Sequence, residues 1–486
     1  MTAKAGGLKG PRPSVALPAD RSSPGSPEPV ATVRQDRLRA RSHRLLAPGP
    51  GGEAPCLAHC TLHGTAMKVL QVTECYPPSL GGTEHHVQMF SRELVRRGHE
   101  VTVATLAVPG APEHEVDPYG VHVHRLEMAA SKVPGSYRTS GPLPHLPAPD
   151  PLVVRGLAEL VRDGDYAVVC GHNWMSYSYL ALPAKRRAPL LWTLHDYGAV
   201  CHKRTRLYTP PGYEGAGKSC PGERLSLCVP CGARQYGWPR SAAIASALAA
   251  SKHILNHRTD RFIAVSRAVA DAAAGAVGGT GDIEVVPTFI DEGLGELATS
   301  AERPSFLPEG RFVLYVGGLG AYKGLFVALE ASRQFYKDAP LVVIGTKKDD
   351  TPQSWPDGVI AASNVPHEDV MAAWAACTVG IVPSVWEEPW GQVAAEAMAA
   401  GRPVVASDIG GLRGIVQDGR TGVLVPPGDA GALGRAVKSL LDDPARAEAM
   451  GRAGAEAAKV LTVSTVTDRL EEILFEMAAG DHMPDS

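Results

Sequence analysis

The sequence predicts an α/β chain with two doubly wound parallel-sheet domains facing a central cleft. Three observations predict it. Apolar runs of strand length alternate with helical periodicity from Met67 to Val286, and the alternation starts afresh at Phe312. Polar and glycine-rich residues recur directly after those runs, at the strand ends where such sheets place their ligands. A length of 486 residues, 44% apolar and 20% charged, is that of a globular protein of two or three domains.

Residues 1–66 are rich in Pro, Gly, Ser and Arg and read as a disordered extension without a secretory core. Met67 to Thr73 is the first strand. Gly81-Gly82-Thr-Glu84 leads into a helix to about Arg97, with Val87, Phe90 and Leu94 on its apolar face. Further strands are expected at Glu100–Thr105, Val121–Arg125, Tyr166–Cys170, Leu190–Leu194, Phe262–Val265 and Ile283–Val286. Ser266 is the expected cap of the helix that follows Phe262–Val265. The second set is Phe312–Val316, Leu341–Ile344, Val379–Val382, Pro403–Ala406 and Gly422–Val425. The expected organisation is a first domain over 67–290 with a cysteine-containing insertion at 197–238, a second over 291–462, and a helix over 463–480 that crosses back to the first.

A net charge of −3 argues against nucleic acid as a partner. Nine irregularly spaced cysteines point to a reducing, cytoplasmic setting rather than a disulfide scaffold. No run is long and apolar enough to span a bilayer. Arg92, Arg96 and Arg97, with Met89 and Phe90, form either a solvated helix face or a peripheral contact with anionic lipid at the inner membrane face.

Several motifs carry chemistry. Glu388 and Glu396 are eight residues apart, just over two helical turns, which places them roughly on one face of a helix. Gly391 sits where a helix would begin, and a helix N-terminus with unpaired amides binds anions. Phosphate on amides and hydroxyls on carboxylates together suggest a sugar nucleotide. Gly81-Gly82 follows a strand and is either a diphosphate cradle or a tight turn. Gly317-Gly318-Leu-Gly320-Ala-Tyr-Lys323-Gly324 lacks the spacing of a Walker A or dinucleotide loop, and its lysine is either a phosphate counter-charge or a solvated helix-start residue. His195 follows a strand end, where a histidine can donate to a sugar hydroxyl or to a developing charge. Asp163-Gly-Asp165 precedes its strand and reads as a turn. Cys201, Cys220, Cys228 and Cys231 share one insertion, and the Cys228–Cys231 gap suits zinc, against free or paired thiols.

Taken together, these residues resemble the retaining nucleotide-sugar glycosyltransferases of family 4, glycosyl transferases group 1, which have the GT-B fold. The stretch from Glu388 to Ser407 carries most of the resemblance. Pro77 to Glu84, Arg97 to Val103, Thr193 to Tyr197, Ala264 to Ser266, Val286 to Asp291, Gly410 to Leu412 and Asp418 to Gly422 support it. The resemblance implies transfer of a sugar from a UDP- or GDP-linked donor to a glycan, lipid-linked or small-molecule acceptor, with retention and without a catalytic metal. It implies that Glu388 holds donor-sugar hydroxyls with help from Trp390, Gly391 and Gln392, and that Glu396 binds the ribose. Lys323 and Gly318 would face the diphosphate, Gly81 and Gly82 would add amides from the opposite domain, and His195 would sit beside the anomeric centre. Many relatives carry arginine where this chain has Gly318, so either Lys323 acts alone or Arg267 or Lys347 contributes. An isomerase or phosphorylase on the same fold, and a non-catalytic scaffold, are the alternatives.

Overall fold

The computed structural model describes residues 66–79, 81–132, 145–213, 217–277 and 283–480. The N-terminal extension expected over 1–66 lies almost wholly outside the described residues. Eight strands make the first sheet. They are β1 (Lys68–Val72), β2 (Glu100–Leu106), β3 (His114–Val116), β4 (His122–Leu126), β5 (Val168–Gly171) and β6 (Leu190–Leu194), then β9 (Arg261–Ala264) and β10 (Glu284–Val285). A two-stranded hairpin, β7 (Leu207–Tyr208) with β8 (Lys218–Ser219), intervenes. The spatial order is β10-β9-β6-β5-β1-β2-β4-β3, and every pairing is parallel except that of β3 with β4. The second sheet holds β11 (Val313–Val316), β12 (Leu341–Ile344), β13 (Val359–Ala362), β14 (Val379–Val382), β15 (Val404–Ser407) and β16 (Gly422–Val425), ordered β13-β12-β11-β14-β15-β16 and all parallel. Continuous apolar runs form these central strands because helices cover both faces of a parallel sheet. β5, β6, β12, β14 and β15 are buried at every residue.

Both sheets put their functional residues beyond the carboxyl ends of the central strands. β5 lies between β1 and β6, pairing Gln71 with Cys170 and Gly171 with Trp192, so the loops after these three strands lie side by side. In the second sheet β11 lies between β12 and β14, so the loops after β11 and β14 adjoin. Ser266 caps the helix Arg267–Ala273 by accepting from Val269 N, as expected. Asp163-Gly-Asp165 ends the helix Pro151–Gly164 in a left-handed turn at Asp165.

The insertion is more ordered than its composition implies. It folds as the hairpin, the helix Leu225–Tyr236 and the long helix Trp238–Arg258. Helical packing here overrides the Gly and Pro content, and Pro230 sits inside the first of the two helices.

The last helix, Val463–Ala478, packs on the helix Gly82–Arg96 and on β5 of the first half. Val466, Leu470, Ile473 and Leu474 are buried in one apolar cluster with Val69, Leu94, Cys170 and Leu191. The two crossing segments touch: Ile290 N donates to Leu461 O at 2.8 Å and Val463 N to Ile290 O at 3.0 Å.

The residues of the lipid-facing reading are engaged as follows. Arg92 pairs with Asp117 at 2.9 Å, Arg96 with Glu93 at 2.6 Å, and Arg97 with Glu93, Asp468 and Glu471. Phe90 is buried in the core. Of the three, Arg97 alone reaches the C-terminal helix, whereas Arg92 is tied to Asp117 and Arg96 to Glu93 on its own helix. Among the described residues no helix is long and apolar enough to cross a membrane.

Candidate active site

A cavity of about 450 Å³ is lined from both sheets: Gly82, Thr83, His195 and Thr288 on one side, and Gly317, Lys323, Ser384, Trp386, Glu388, Trp390, Gly391, Gln392 and Glu396 on the other. Glu388 does not share a helix with Glu396. The helix runs Gln392–Ala399 with Gly391 as its cap, and Glu388 lies ahead of it in the loop after β14. Eight residues of spacing fit two helical turns, but the chain spends the first half of them in a bend. Gly391 adopts φ 125°, and a Cβ there would sit 2.7 Å from Leu412 Cδ2, so only glycine makes this turn. Gly410 is equally constrained. Its φ is 56°, its missing Cβ leaves room for Glu388 backbone atoms at 2.4 and 2.6 Å, and Gly411 N donates to Glu388 O at 2.6 Å. The carboxylate loop is thus held by a two-glycine seat.

The charges are paired. Lys323 Nζ donates to both oxygens of Glu388, at 2.7 and 3.0 Å, and Ser384 Oγ donates to Oε1 at 2.6 Å. The Lys323 ammonium also lies 5.1 Å from the centre of the Trp386 ring. Glu396 accepts from Gln392 Nε2 at 3.2 Å and lies 3.5 Å from His367 Nε2, and this carboxylate raises the His367 ring above its usual 6.5. Among the described residues, Lys323 is the one lysine or arginine lining this cavity. Arg267 pairs with Asp271 on its own helix, and neither it nor Lys347 reaches the lining. Gly318 does not line it either. Gly317 does, and the space a Gly318 side chain would need is held by Tyr322 and Lys348. Gly81 caps the helix Gly82–Arg96, whereas Gly82 reaches the cavity.

Across the cavity stands a histidine cluster that no sequence motif announced. His86, His172 and His195 bring their ring nitrogens within 4.8 Å of one another. His86 Nδ1 contacts Thr288 Oγ1 at 2.7 Å, and its ring stacks on Phe289 at 4.5 Å. Burial lowers the affinity of all three for a proton: His195 is held down to about 3, and the other two fall well below 6.5. All three are therefore neutral near pH 7. The consecutive His85-His86 in the first helical turn was the available signal, since a position facing the sheet ends must also face the loops there.

The cysteines of the insertion are split between loops, with Cys201 and Cys220, and the helix carrying Cys228 and Cys231. Cys231 Sγ accepts from Thr209 N at 3.3 Å and lies 3.6 Å from Lys203 Nζ. Among the described residues no three of these four sulfurs lie within 4.8 Å of one another.

Two family models match the chain: Glycosyltransferase Family 4 over residues 80–294 and Glycosyl transferases group 1 over residues 299–457. The chain belongs to the family 4 glycosyltransferases. Among curated proteins, this glycosyltransferase is 28% identical over 411 residues to a glycogen synthase of Mycobacterium tuberculosis, covering 80% of this chain and 89% of the relative. It is 29% identical over 460 residues to a D-inositol 3-phosphate glycosyltransferase of Acidothermus cellulolyticus, covering 87% and 91%. Among solved structures it resembles sucrose-phosphate synthase of Thermosynechococcus elongatus, with TM-score 0.62, 22% identity and coverage of 85% and 100%. It also resembles HepE of Anabaena in complex with UDP and glucose, with TM-score 0.58, 19% identity and coverage of 84% and 99%. These structural likenesses establish the GT-B fold, and the glycosyltransferase works by sugar transfer in glycoconjugate biosynthesis.

Proposed function

We propose that this glycosyltransferase takes its sugar from a nucleoside diphosphate donor bound in the 450 Å³ cavity and passes it, with retention, to an acceptor hydroxyl. The observation that carries the reading is the Lys323–Glu388–Ser384 group lying across the cavity from His195. A donor supplies a partner for each member of the pair that now satisfies itself internally. Its diphosphate draws the ammonium, and its sugar hydroxyls donate to the carboxylate that the ammonium releases. Glu396, one turn into the helix Gln392–Ala399, receives the ribose hydroxyls, steered by Gln392 and His367. Lys323 and the amides opening that helix then stabilise the leaving diphosphate, and preorganised groups of this kind contribute several kcal/mol. No side chain marks itself as a covalent nucleophile, so the leaving phosphate itself assists a front-face attack, and no metal cofactor is assigned to catalysis. Closure of the two halves over the donor excludes water from that step.

A structural zinc held by Cys201, Cys220, Cys228 and Cys231 belongs to the same proposal, and the sulfurs would have to draw together around it. The finer placement in the cytoplasm rests on the irregularly spaced cysteines, and the UDP- or GDP-linked donor rests on the family. A panel of UDP- and GDP-linked sugars, read by mass spectrometry for transfer and for slow hydrolysis, tests it. Loss of both in a folded Glu388→Ala variant is expected; full activity there would remove Glu388 from the site.

A further inference from the structure

Buried Gln71 and His172 and half-buried His195, on or just beyond three adjoining strands, form one hydrogen-bonded line that ends at the cavity. Gln71, fully buried in β1, contacts His172 Nε2 through its Oε1 at 2.6 Å. His172, just beyond β5, contacts His195 Nε2 through its Nδ1 at 2.9 Å. His195, just beyond β6, lines the donor cavity. With the Gln71 amide oxygen toward His172, and the Gln71 Nε2 unpartnered among the described residues, His172 Nε2 carries the hydrogen, since an amide oxygen only accepts. A neutral imidazole has one N–H, so His172 Nδ1 is then a lone pair. His195 Nε2 must donate to it, which leaves His195 Nδ1 unprotonated. No described residue occupies that nitrogen.

We propose that Gln71 and His172 are positioning residues that lock His195 in its Nε2–H form, so that Nδ1 accepts a hydrogen bond from a substrate hydroxyl. The inference rests on the donor-cavity reading and narrows it. It removes the option that His195 donates to developing negative charge, and it assigns that work to Lys323 and the helix amides. His86 completes the setting from the opposite face. Its ring lies edge-on to His195 with centroids 4.6 Å apart, and Thr288 holds its Nδ1, so it supports the His195 ring without entering the line.

The test uses the full chain labelled with ¹⁵N-histidine, with His195 resonances assigned by their loss in His195→Asn. Long-range proton–nitrogen correlations distinguish the two tautomers directly. The expected result is Nε2–H in the wild type, retained in Gln71→Glu, whose carboxylate accepts as the amide oxygen does. Gln71→Met, similar in size but without an acceptor, is expected to mix the forms. With UDP-glucose as the probe, turnover should fall about 10- to 100-fold in Gln71→Met with KM little changed, and stay within about threefold in Gln71→Glu. A wild-type His195 carrying its hydrogen on Nδ1, a Gln71→Met spectrum identical to wild type, or zinc bound stoichiometrically by the three rings would each overturn the proposal. Full turnover in His195→Asn would instead sink the catalytic reading of His195 and leave the locked tautomer intact, so the two failures are distinguishable.

Discussion

Lys323→Met tests the resting charge pair most sharply. In the folded chain the Glu388 carboxylate is 9% exposed and the Lys323 side chain 26% exposed. Removing the ammonium leaves the carboxylate with the Ser384 hydroxyl as its hydrogen-bond donor, at 2.6 Å. Breaking a buried pair from one side costs about 3–5 kcal/mol, and a partner already a quarter exposed lets water recover some of it, so about 2–3 kcal/mol is expected. An unfolding entropy of about 2.1 cal/mol/K per residue over roughly 400 described residues makes this a fall in Tm of about 3 °C. Glu388→Gln strands the more exposed partner, which turns to solvent, and should cost under about 1 kcal/mol, or roughly 1 °C. The double variant Lys323→Met, Glu388→Gln removes both charges and should regain most of the loss. All three should lose about 10²- to 10³-fold in turnover. Differential scanning fluorimetry and a nucleotide-release assay read the two quantities. Equal destabilisation by the two single variants, or a double variant as unstable as their sum, would refute the buried-pair argument. Wild-type turnover in Lys323→Met would refute the placement of the diphosphate.

The remaining predictions probe the seat, the histidines and the cysteines. Gly410→Ala places a methyl within 2.6 Å of the Glu388 backbone at φ 56° and should displace that loop, lowering kcat/KM by about 10²-fold; an unchanged value shows that the loop tolerates the shift. His86, His172 and His195 are neutral when folded but take protons near 6.5 when unfolded, so the unfolded chain binds more protons in acid. Stability measured by urea should therefore fall as pH drops below about 6.5, and His86→Phe should flatten that slope by about one proton. Elemental analysis of the purified glycosyltransferase should find about one zinc per chain, with Cys228→Ser, Cys231→Ser losing it; metal-free, thermally unchanged protein would remove the zinc proposal.

The strands were legible as apolar runs: Leu190–Leu194, Leu341–Ile344 and Val379–Val382, buried at every residue, and the edge strand Gly422–Val425 coincide with expectation to the residue. β3 and β13 were not foreseen: both are sheet-edge strands, β3 is exposed and carries no apolar run, and the Val359-Ile-Ala-Ala of β13 is apolar but short and only partly buried. The glycines and carboxylates of the cavity were legible as a set, since several weak turn signals fell after successive strands. What the sequence could not convey was pairing across the sheet. Lys323 meets Glu388 from 65 residues away, and Gln71 meets His172 from 101. Spacing along the chain has no means of showing such contacts. Gly318 was misjudged for a related reason, because which of two adjacent glycines faces the cavity depends on Tyr322 and Lys348 packing behind the other.

The C-terminal helix has a consequence for how the molecule is made. Val466, Leu470, Ile473 and Leu474 complete the apolar cluster begun by Val69 and Leu94. They leave the ribosome after the whole second sheet, whereas the strands they cover leave before it. N-terminal domains ordinarily finish folding while synthesis continues. Here the first sheet must wait, with one flank uncovered, until the whole second sheet has been translated. A nascent chain stalled before residue 463 would hold the second sheet entire and leave Val69 and Leu94 without the helix that covers them.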